Sequence, residues 1–311
     1  MNRHRLSAIA ALAAIVLLAA AATAQQESSG APAHLVVTVE PKHGPEVPVV
    51  NREDVMVFEG HERDSVTDWV SAQGDHAALE LFILIDDAAD TSLGTQLEDI
   101  SKFITAQPDS TKVGVAYMQD GVARVVQELT NDHAATAKSL RLPFGIAGVN
   151  ASPYFSLSDL VKKWPATDAR REVLMVTDGI DRYYGSWDLN DPYLQSAIDD
   201  AGRAGIVVSA IYNPGAGHFG HSYWESYWGQ MYLSELADKT GGEAYYIGFT
   251  GPAVAFKPFL DEFGRRLSNQ YLLTFLTKPP KKAGWKTVRL NTEIKNVDLV
   301  SAGRVYVSPT Q

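Results

Sequence analysis

The chain has 311 residues, of which 37 are acidic and 27 are basic, so its formal net charge at pH 7 is −10. This excess of negative charge argues against a nucleic-acid-binding surface and against a patch that binds anionic lipids. Because the sequence contains no cysteine, disulfides and thiolate metal sites are excluded.

The N-terminal residues have the pattern of a cleaved secretory signal. Arg3 and Arg5 precede an apolar run over residues 6–22, which ends in the small residues Ala22-Thr23-Ala24. A membrane anchor is the alternative, but the run is shorter than the roughly 20 residues of a membrane span. We therefore expect residues 1–24 to be removed, leaving a periplasmic or extracellular protein without a stable membrane span.

The next segment, residues 34–76, combines β-forming residues with turns. The stretches "HLVVTVEP" and "DVMVFEGHERDSVTDWVSA" flank the turn-rich "KHGPEVP", which predicts two or three antiparallel strands. A unit of this size cannot bury a sheet face alone, so we expect it to pack against another part of the chain.

From residue 79 onwards, strands and helices are predicted to alternate, as in a sheet with helices on its faces. Residues 79–86 form a continuous apolar strand, and the following helix places Leu93, Leu97, Ile100 and Ile104 on its buried face. The pair Asp120-Gly121 favours a tight hairpin, so the strand after it is predicted to be antiparallel and at an edge.

The α/β pattern continues to residue 271. A helix is predicted from Asn131 or Asp132 to about Leu142, and another from Ser156 to Trp164, before Pro165. The later elements predicted by apolar runs and helical spacing are a buried strand at 171–177, a helix at 191–205, a buried strand at 206–212, a helix at 232–238, a short strand at 243–247 and a long helix between Phe256 and Leu267.

Residues 272–308 return to a β pattern. We expect this segment to pack with 34–76 as an accessory β module, either as a separate unit or as an extension of the central sheet. Residues 77–271 are predicted to form an α/β domain with a doubly wound, mostly parallel central sheet and helices on both faces.

Acidic residues follow two strands of this predicted sheet. Asp86 ends the first strand and Asp178 follows a later one, and ligands of open α/β sheets gather at such carboxyl ends. With Asp90 close by, three carboxylates would meet there, and a like-charged pair about 4 Å apart costs roughly 4 kcal/mol at an effective dielectric of 20. A divalent cation would relieve this repulsion, and so would solvation with wider spacing.

These residues also resemble a family. An apolar strand ending in Asp86, the triplet Thr177-Asp178-Gly179 and the hydroxyl-rich "NASPYFSLSDL" between them resemble a von Willebrand factor A (VWA) domain over roughly residues 79–270. The flanking β segments look like those of the A-domain-related proteins exported by acidobacteria. The resemblance implies a doubly wound α/β fold and a metal-ion-dependent adhesion site that binds an acidic side chain of the ligand.

The resemblance implies metal ligands at positions spread over three loops: Asp86, Asp90, Ser152 and Asp178. Ser156 and Ser158 are the alternatives to Ser152. Ala88 stands where the family has a ligand serine, so the implied site is degenerate. It holds Mg²⁺ (or Mn²⁺ or Ca²⁺) weakly, or it has lost its ion and binds partners without one.

Aromatic and histidine residues follow the same strand ends. Such aromatics are enriched at the centres of protein interfaces, although packing among themselves is the alternative. The predicted partner-binding residues are Tyr183, Tyr184, Trp187, His218, His221 and Trp224. The histidine pair lacks the H-E-x-x-H arrangement of a zinc protease.

The sequence thus favours an exported, non-enzymatic, adhesion-type protein that binds a protein or cell-surface ligand. The first alternative is a metal-assisted hydrolase that uses the acidic cluster, which would need a metal with an open coordination position. The second is an envelope component that makes its contacts through the β segments.

Overall fold

A computed structural model describes residues 30–89, 91–146, 148–185, 190–214, 222–246 and 255–309. Strands and helices alternate over its central part, between two segments that are purely β. The strands are β1 (Ala31–Pro41), β2 (Val55–Glu59), β3 (Glu62–Ser71), β4 (Leu79–Asp86), β5 (Thr111–Gln119), β6 (Val122–Thr130), β7 (Arg170–Thr177), β8 (Ile206–Tyr212), β9 (Ala244–Tyr245), β10 (Gln270–Thr277), β11 (Gly284–Thr287), β12 (Arg289–Thr292), β13 (Val297–Val300) and β14 (Arg304–Val307). The helices are α1 (Gly94–Thr105), α2 (His133–Lys138), α3 (Pro153–Lys163), α4 (Pro192–Ala204), α5 (Tyr223–Thr240) and α6 (Lys257–Ser268).

The central sheet has the strand order β6-β5-β4-β7-β8-β9. Its neighbouring strands are parallel, apart from the antiparallel pair β5/β6. The turn between these two strands is Asp120-Gly121, and both residues have positive φ angles of 49° and 77°. The predicted hairpin and the antiparallel edge strand are therefore confirmed.

Helices cover both faces of the central sheet, because β4 and β7 are apolar on both sides. One core packs this sheet against α3, α4 and α5, and includes Tyr154, Leu194 and Leu233. The other packs it against α1 and α6, and includes Ile100 and Phe263. The fold is thus an α/β fold.

The N- and C-terminal segments build a second, antiparallel sheet with the order β12-β2-β3-β10-β1-β13. Its pairing joins sequence-distant strands: β1 pairs with β10, as in Val37 opposite Tyr271. A core of small and β-branched residues fills its inner side, and the ribbon β11-β14 lies beside it. Trp285 of this ribbon packs over Gly202 of α4, where it connects the sheet to the α/β part.

Three helices have a boundary that differs from the sequence-based prediction by three residues or more. Helix α2 ends at Lys138 rather than near Leu142, because the backbone N–H of Arg141 binds the Tyr117 hydroxyl and Pro143 disfavours a helical residue before it. Helix α3 begins at Pro153, three residues before the predicted Ser156.

Helix α5 is the largest correction. It begins at Tyr223, not near Tyr232, so Trp224 lies on a helix and not in the predicted loop. Ser222 and Glu225 form a capping box at its start, in which each side chain accepts the other residue's backbone N–H.

Candidate functional site

The strand order of the central sheet reverses between β4 and β7, the first and fourth of its strands along the chain. In open α/β sheets this switch point opens a crevice at the carboxyl ends of the strands, where ligands bind. Asp86 ends β4, and Asp178 follows β7; both side chains are buried. We call the surface formed by the described residues that follow β4, β5, β7 and β8, together with those between α2 and α3 that bind Asp87 and Asp120, the rim.

Asp86 is held by two protein donors. The Thr177 hydroxyl donates to its Oδ2 at 2.8 Å, and the Ala88 backbone N–H donates to its Oδ1 at 2.9 Å. Burial, and then the charge of Asp178, raise the pKa of Asp86 to about 6, although Arg182 acts in the opposite direction. The carboxyl group of Asp86 thus lacks full charge compensation.

Asp178 is paired with Arg182. Its Oδ2 lies 2.5 Å from Nη2 of Arg182, and its Oδ1 accepts the Ile180 backbone N–H at 3.0 Å. Burial by itself would lower the pKa of Arg182, but Asp178 and then Asp86 outweigh it and raise that pKa. The guanidinium group is therefore bound to Asp178 and lies close enough to Asp86 for the charge of that carboxylate to act on it.

Ser152, the residue expected at the threonine position, is the N-cap of α3. Its hydroxyl accepts the Phe155 backbone N–H and donates to Oδ2 of Asp181 at 2.8 Å. Asp181 in turn accepts the backbone N–H groups of Tyr183 and Tyr184. This serine ties the loop after β7 to the start of a helix.

A small cavity of about 10 Å³ lies at the switch point, and its lining includes Asp86, Ala88, Ser152 and Arg182. This space is enough for about one water molecule. Within the part of the chain that the structure describes, no three Asp, Glu or His side chains are placed to hold a metal ion. Ala88 supplies only a methyl group and Arg182 lines the same small cavity, so the site with Arg182 in place does not fit a hydrated divalent cation.

The neighbouring aspartate, Asp87, has a different partner. Its two oxygens accept a bidentate pair from Arg141, at 2.6 and 3.0 Å, and also bonds from Gln119 and the Phe144 backbone. The Arg141 guanidinium lies between the rings of Tyr117 and Phe144, 3.8 and 4.0 Å from their centroids. These contacts fix the loop that follows α2.

This loop exposes large apolar side chains, and we call residues 142–146, 148 and 149 the apolar loop. Phe144 is 62% exposed, Ile146 is 72% and Val149 is 88%. The loop borders the cavity, because the Asn150 backbone binds the hairpin residue Asp120 and Ala151 lines the cavity.

Aromatic residues also follow the carboxyl ends of β7 and β8. Tyr183 and Tyr184 pack with Tyr193, and Phe155 contacts the ring of Tyr183 at 5.0 Å, yet Tyr183 remains 47% exposed. Trp224, in the first turn of α5, is 66% exposed. Some of these aromatic residues therefore pack among themselves, while Tyr183 and Trp224 still expose a large part of their side chains.

Helix α5 approaches the switch point through two glycines. A Cβ on Gly179, whose φ is +71°, would lie 2.5 Å from the Gly229 carbonyl oxygen, and one on Gly229 would lie 2.1 Å from that of Asp178. Both distances are far below a van der Waals contact. The Gly179 turn therefore sits directly against α5, which carries Trp224 to the rim.

Asp90, Trp187, His218 and His221 were also predicted as site residues, but they lie outside the described residues. The sequence interpretation missed Arg182, Arg141 and the apolar loop. The basic residue inside "TDGIDR" and the apolar, Gly- and Pro-containing "LPFGIAGV" were the available signals.

No protein-family model and no curated protein matches the chain. Among solved structures, the chain is similar to an aerotolerance-related membrane protein from Bacteroides fragilis, at 14% identity over 61% of this chain and 98% of that one, with a TM-score of 0.47. It is also similar to the SpRpn10 VWA domain, at 13% identity over 61% of this chain and 97% of that one, with a TM-score of 0.42. A third similar structure contains three N-terminal domains of the type V pili tip protein Mfa5 from Porphyromonas gingivalis, at 9% identity over 91% of this chain and 68% of that one, with a TM-score of 0.43.

Among the described residues, no helix combines the length and the apolar character that crossing a bilayer requires.

Proposed function

We propose that the protein is an exported, non-enzymatic, adhesion-type protein that binds a protein or cell-surface ligand through the rim. The exposed apolar loop carries this proposal. Contiguous exposed apolar side chains on a folded protein mark interaction surfaces, and Phe144, Ile146 and Val149 lie within six residues of one another and are more than half exposed.

The anchoring of the apolar loop supports the same conclusion. The bidentate Asp87–Arg141 pair and the Phe144 backbone bond hold it against the ends of β4 and β5. A surface held in place before binding loses less conformational freedom when the partner docks. The loop is therefore suited to rigid docking.

The exposed aromatic residues that follow β7 and β8 extend this surface. Trp224 and Tyr183 are exposed, and both follow the carboxyl ends of central strands. Large aromatic side chains at an interface centre contribute a disproportionate share of the binding energy. We therefore infer that the apolar loop and Trp224 contact the same partner.

Capture from envelope extract tests this proposal. Full-length wild-type protein, the double variant Ile146→Ser/Val149→Ser and the variant Trp224→Ala are immobilised, and the retained proteins are quantified by mass spectrometry. Each rim substitution should reduce the proteins retained by the wild type at least about tenfold, since a hot-spot residue contributes 2 kcal/mol or more.

The matched control is Val49→Ser, which changes an equally exposed apolar residue (75%) outside the α/β part. It should retain the same proteins as the wild type. If Val49→Ser loses them and both rim variants keep them, the contacts are made outside the rim and the proposal is wrong.

A further inference from the structure

The switch point holds two buried carboxylates at the place where the VWA resemblance implies a divalent cation. Asp86 and Asp178 are both less than one tenth exposed, and they come from adjacent strands. Unpaired charges in a protein interior cost several kcal/mol each, and like charges add repulsion. A positive charge close to both carboxylates offsets these costs.

Arg182 provides this positive charge. Its guanidinium group binds both oxygens of Asp178, at 2.5 and 3.4 Å, and its backbone N–H donates to the Ala151 carbonyl at 3.1 Å. The side chain also lines the cavity beside Asp86. Because a guanidinium keeps its proton at every pH that a folded protein meets, this charge is permanent.

The other groups at the switch point are already engaged. Asp86 accepts bonds at both oxygens, and the Ser152 hydroxyl both donates and accepts. Mg²⁺ keeps several of its waters when it binds to a protein, whereas the cavity next to the guanidinium has room for about one. A hydrated divalent ion and Arg182 therefore compete for the same place.

We propose that the Arg182 guanidinium takes the place of the divalent cation at the rim, so that this protein maintains its switch point without metal. Removal of the guanidinium would leave Asp86 and Asp178 facing an enlarged cavity and would turn the switch point into a divalent-cation site. This inference concerns the charge balance of the switch point and is independent of partner capture.

The test compares metal uptake by the full-length wild type and Arg182→Ala. Calorimetric titration with Mn²⁺ and with Mg²⁺ should give no binding to the wild type, whose thermal unfolding should be the same with either ion or with EDTA. Arg182→Ala should bind Mn²⁺ with a Kd of roughly 10⁻⁴–10⁻³ M, the range of weak extracellular cation sites, and its midpoint of unfolding should rise with the ion.

Two further variants act as controls. Arg182→Lys keeps a positive charge and should bind no metal. Arg203→Ala also removes an arginine that lies beside two aspartates, Asp199 and Asp200, but these keep Arg304 and Lys162 as partners, and the variant should bind no metal either. If Arg182→Ala folds only in the presence of Mg²⁺ or Mn²⁺ while Arg182→Lys folds without them, that result supports the proposal as well.

Two results would overturn the proposal. One is stoichiometric Mn²⁺ binding by the wild type that Asp86→Asn abolishes. The other is a folded Arg182→Ala variant that takes up no Mn²⁺ or Mg²⁺ at concentrations well above the expected Kd.

Discussion

Two aspartate–arginine pairs lie at the rim, and they differ in the number of carboxylates that each arginine serves. Within the described part of the chain Arg141 is paired with one carboxylate, that of Asp87, whereas Arg182 binds Asp178 and also lies near Asp86. Asp87 and Asp178 are both almost fully buried, and the two arginines are exposed to a similar degree, 28% and 29%. The two pairs therefore differ in charge balance and not in burial.

The ratio of cations to anions determines the role of each pair. At Asp87 one cation meets one anion in a bidentate arrangement, which is the geometry of a strong structural pair. At the switch point one cation meets two anions, and burial, followed by the charge of Asp178, raises the pKa of Asp86. The Asp87–Arg141 pair anchors a loop. The charge at the switch point, in contrast, depends on the protonation of Asp86.

The largest effect is expected when the balanced pair is broken. Arg141→Ala leaves Asp87 buried without its cation, and removing one partner of a buried pair costs about 3 kcal/mol or more. It also removes the guanidinium that stacks between Tyr117 and Phe144. Urea unfolding at pH 7 should show a correspondingly lower free energy of unfolding. A change below about 1 kcal/mol would show that Asp87 finds other compensation.

A smaller, pH-dependent effect is expected at the unbalanced pair. The pKa of Asp86 is raised from 3.8 to about 6 in the folded protein, so between these values the folded state binds a proton that the unfolded state has released. The contribution of Asp86 to the free energy of unfolding should therefore fall as the pH rises from about 4 to about 6, and then level off. The two pKa values correspond to a loss of roughly 3 kcal/mol at most.

Asp86→Asn isolates this contribution because an amide does not titrate. Urea unfolding of the wild type and the variant at pH 4.0, 5.0, 6.0 and 7.0 gives the difference between their free energies of unfolding. This difference should shift in favour of the variant as the pH rises. A difference that is independent of pH would mean that the folded-state pKa of Asp86 is normal.

The smallest effect is expected at an exposed pair. Lys257 and Asp261 lie one turn apart on α6 and are 69% and 63% exposed at their side chains. Lys257→Ala should change the free energy of unfolding by less than about 0.5 kcal/mol, because solvent screens such pairs. An effect as large as that of Arg141→Ala would show that burial does not explain the difference between the pairs at the rim and a pair on the surface.

Local patterns in the sequence predicted most elements of the α/β part. The unbroken apolar run of β4 and the helical spacing of Leu93, Ile100 and Ile104 depend only on neighbouring residues, and they lie buried as expected. The start of α5 was predicted too late because the polar and aromatic first turns hide its apolar stripe. The capping box of Ser222 and Glu225 was the missed local signal.

The site was less predictable. That Asp86 and Asp178 follow strands could be inferred from the sequence, and the switch point brings both to one crevice. Their partners could not be inferred, because Arg141 pairs with an aspartate 54 positions away. Arg182 is close to Asp178 in sequence, but its position beside Asp86 depends on the adjacency of β4 and β7.

By itself, the sequence determined the alternation of strands and helices, the Asp120-Gly121 hairpin and the acidic ends of two strands, since these follow from the spacing and type of neighbouring residues. Only the tertiary structure decided which cation compensates which carboxylate and which apolar side chains remain exposed. Both depend on contacts between segments that are far apart in the chain, and such contacts leave no periodic pattern in the sequence.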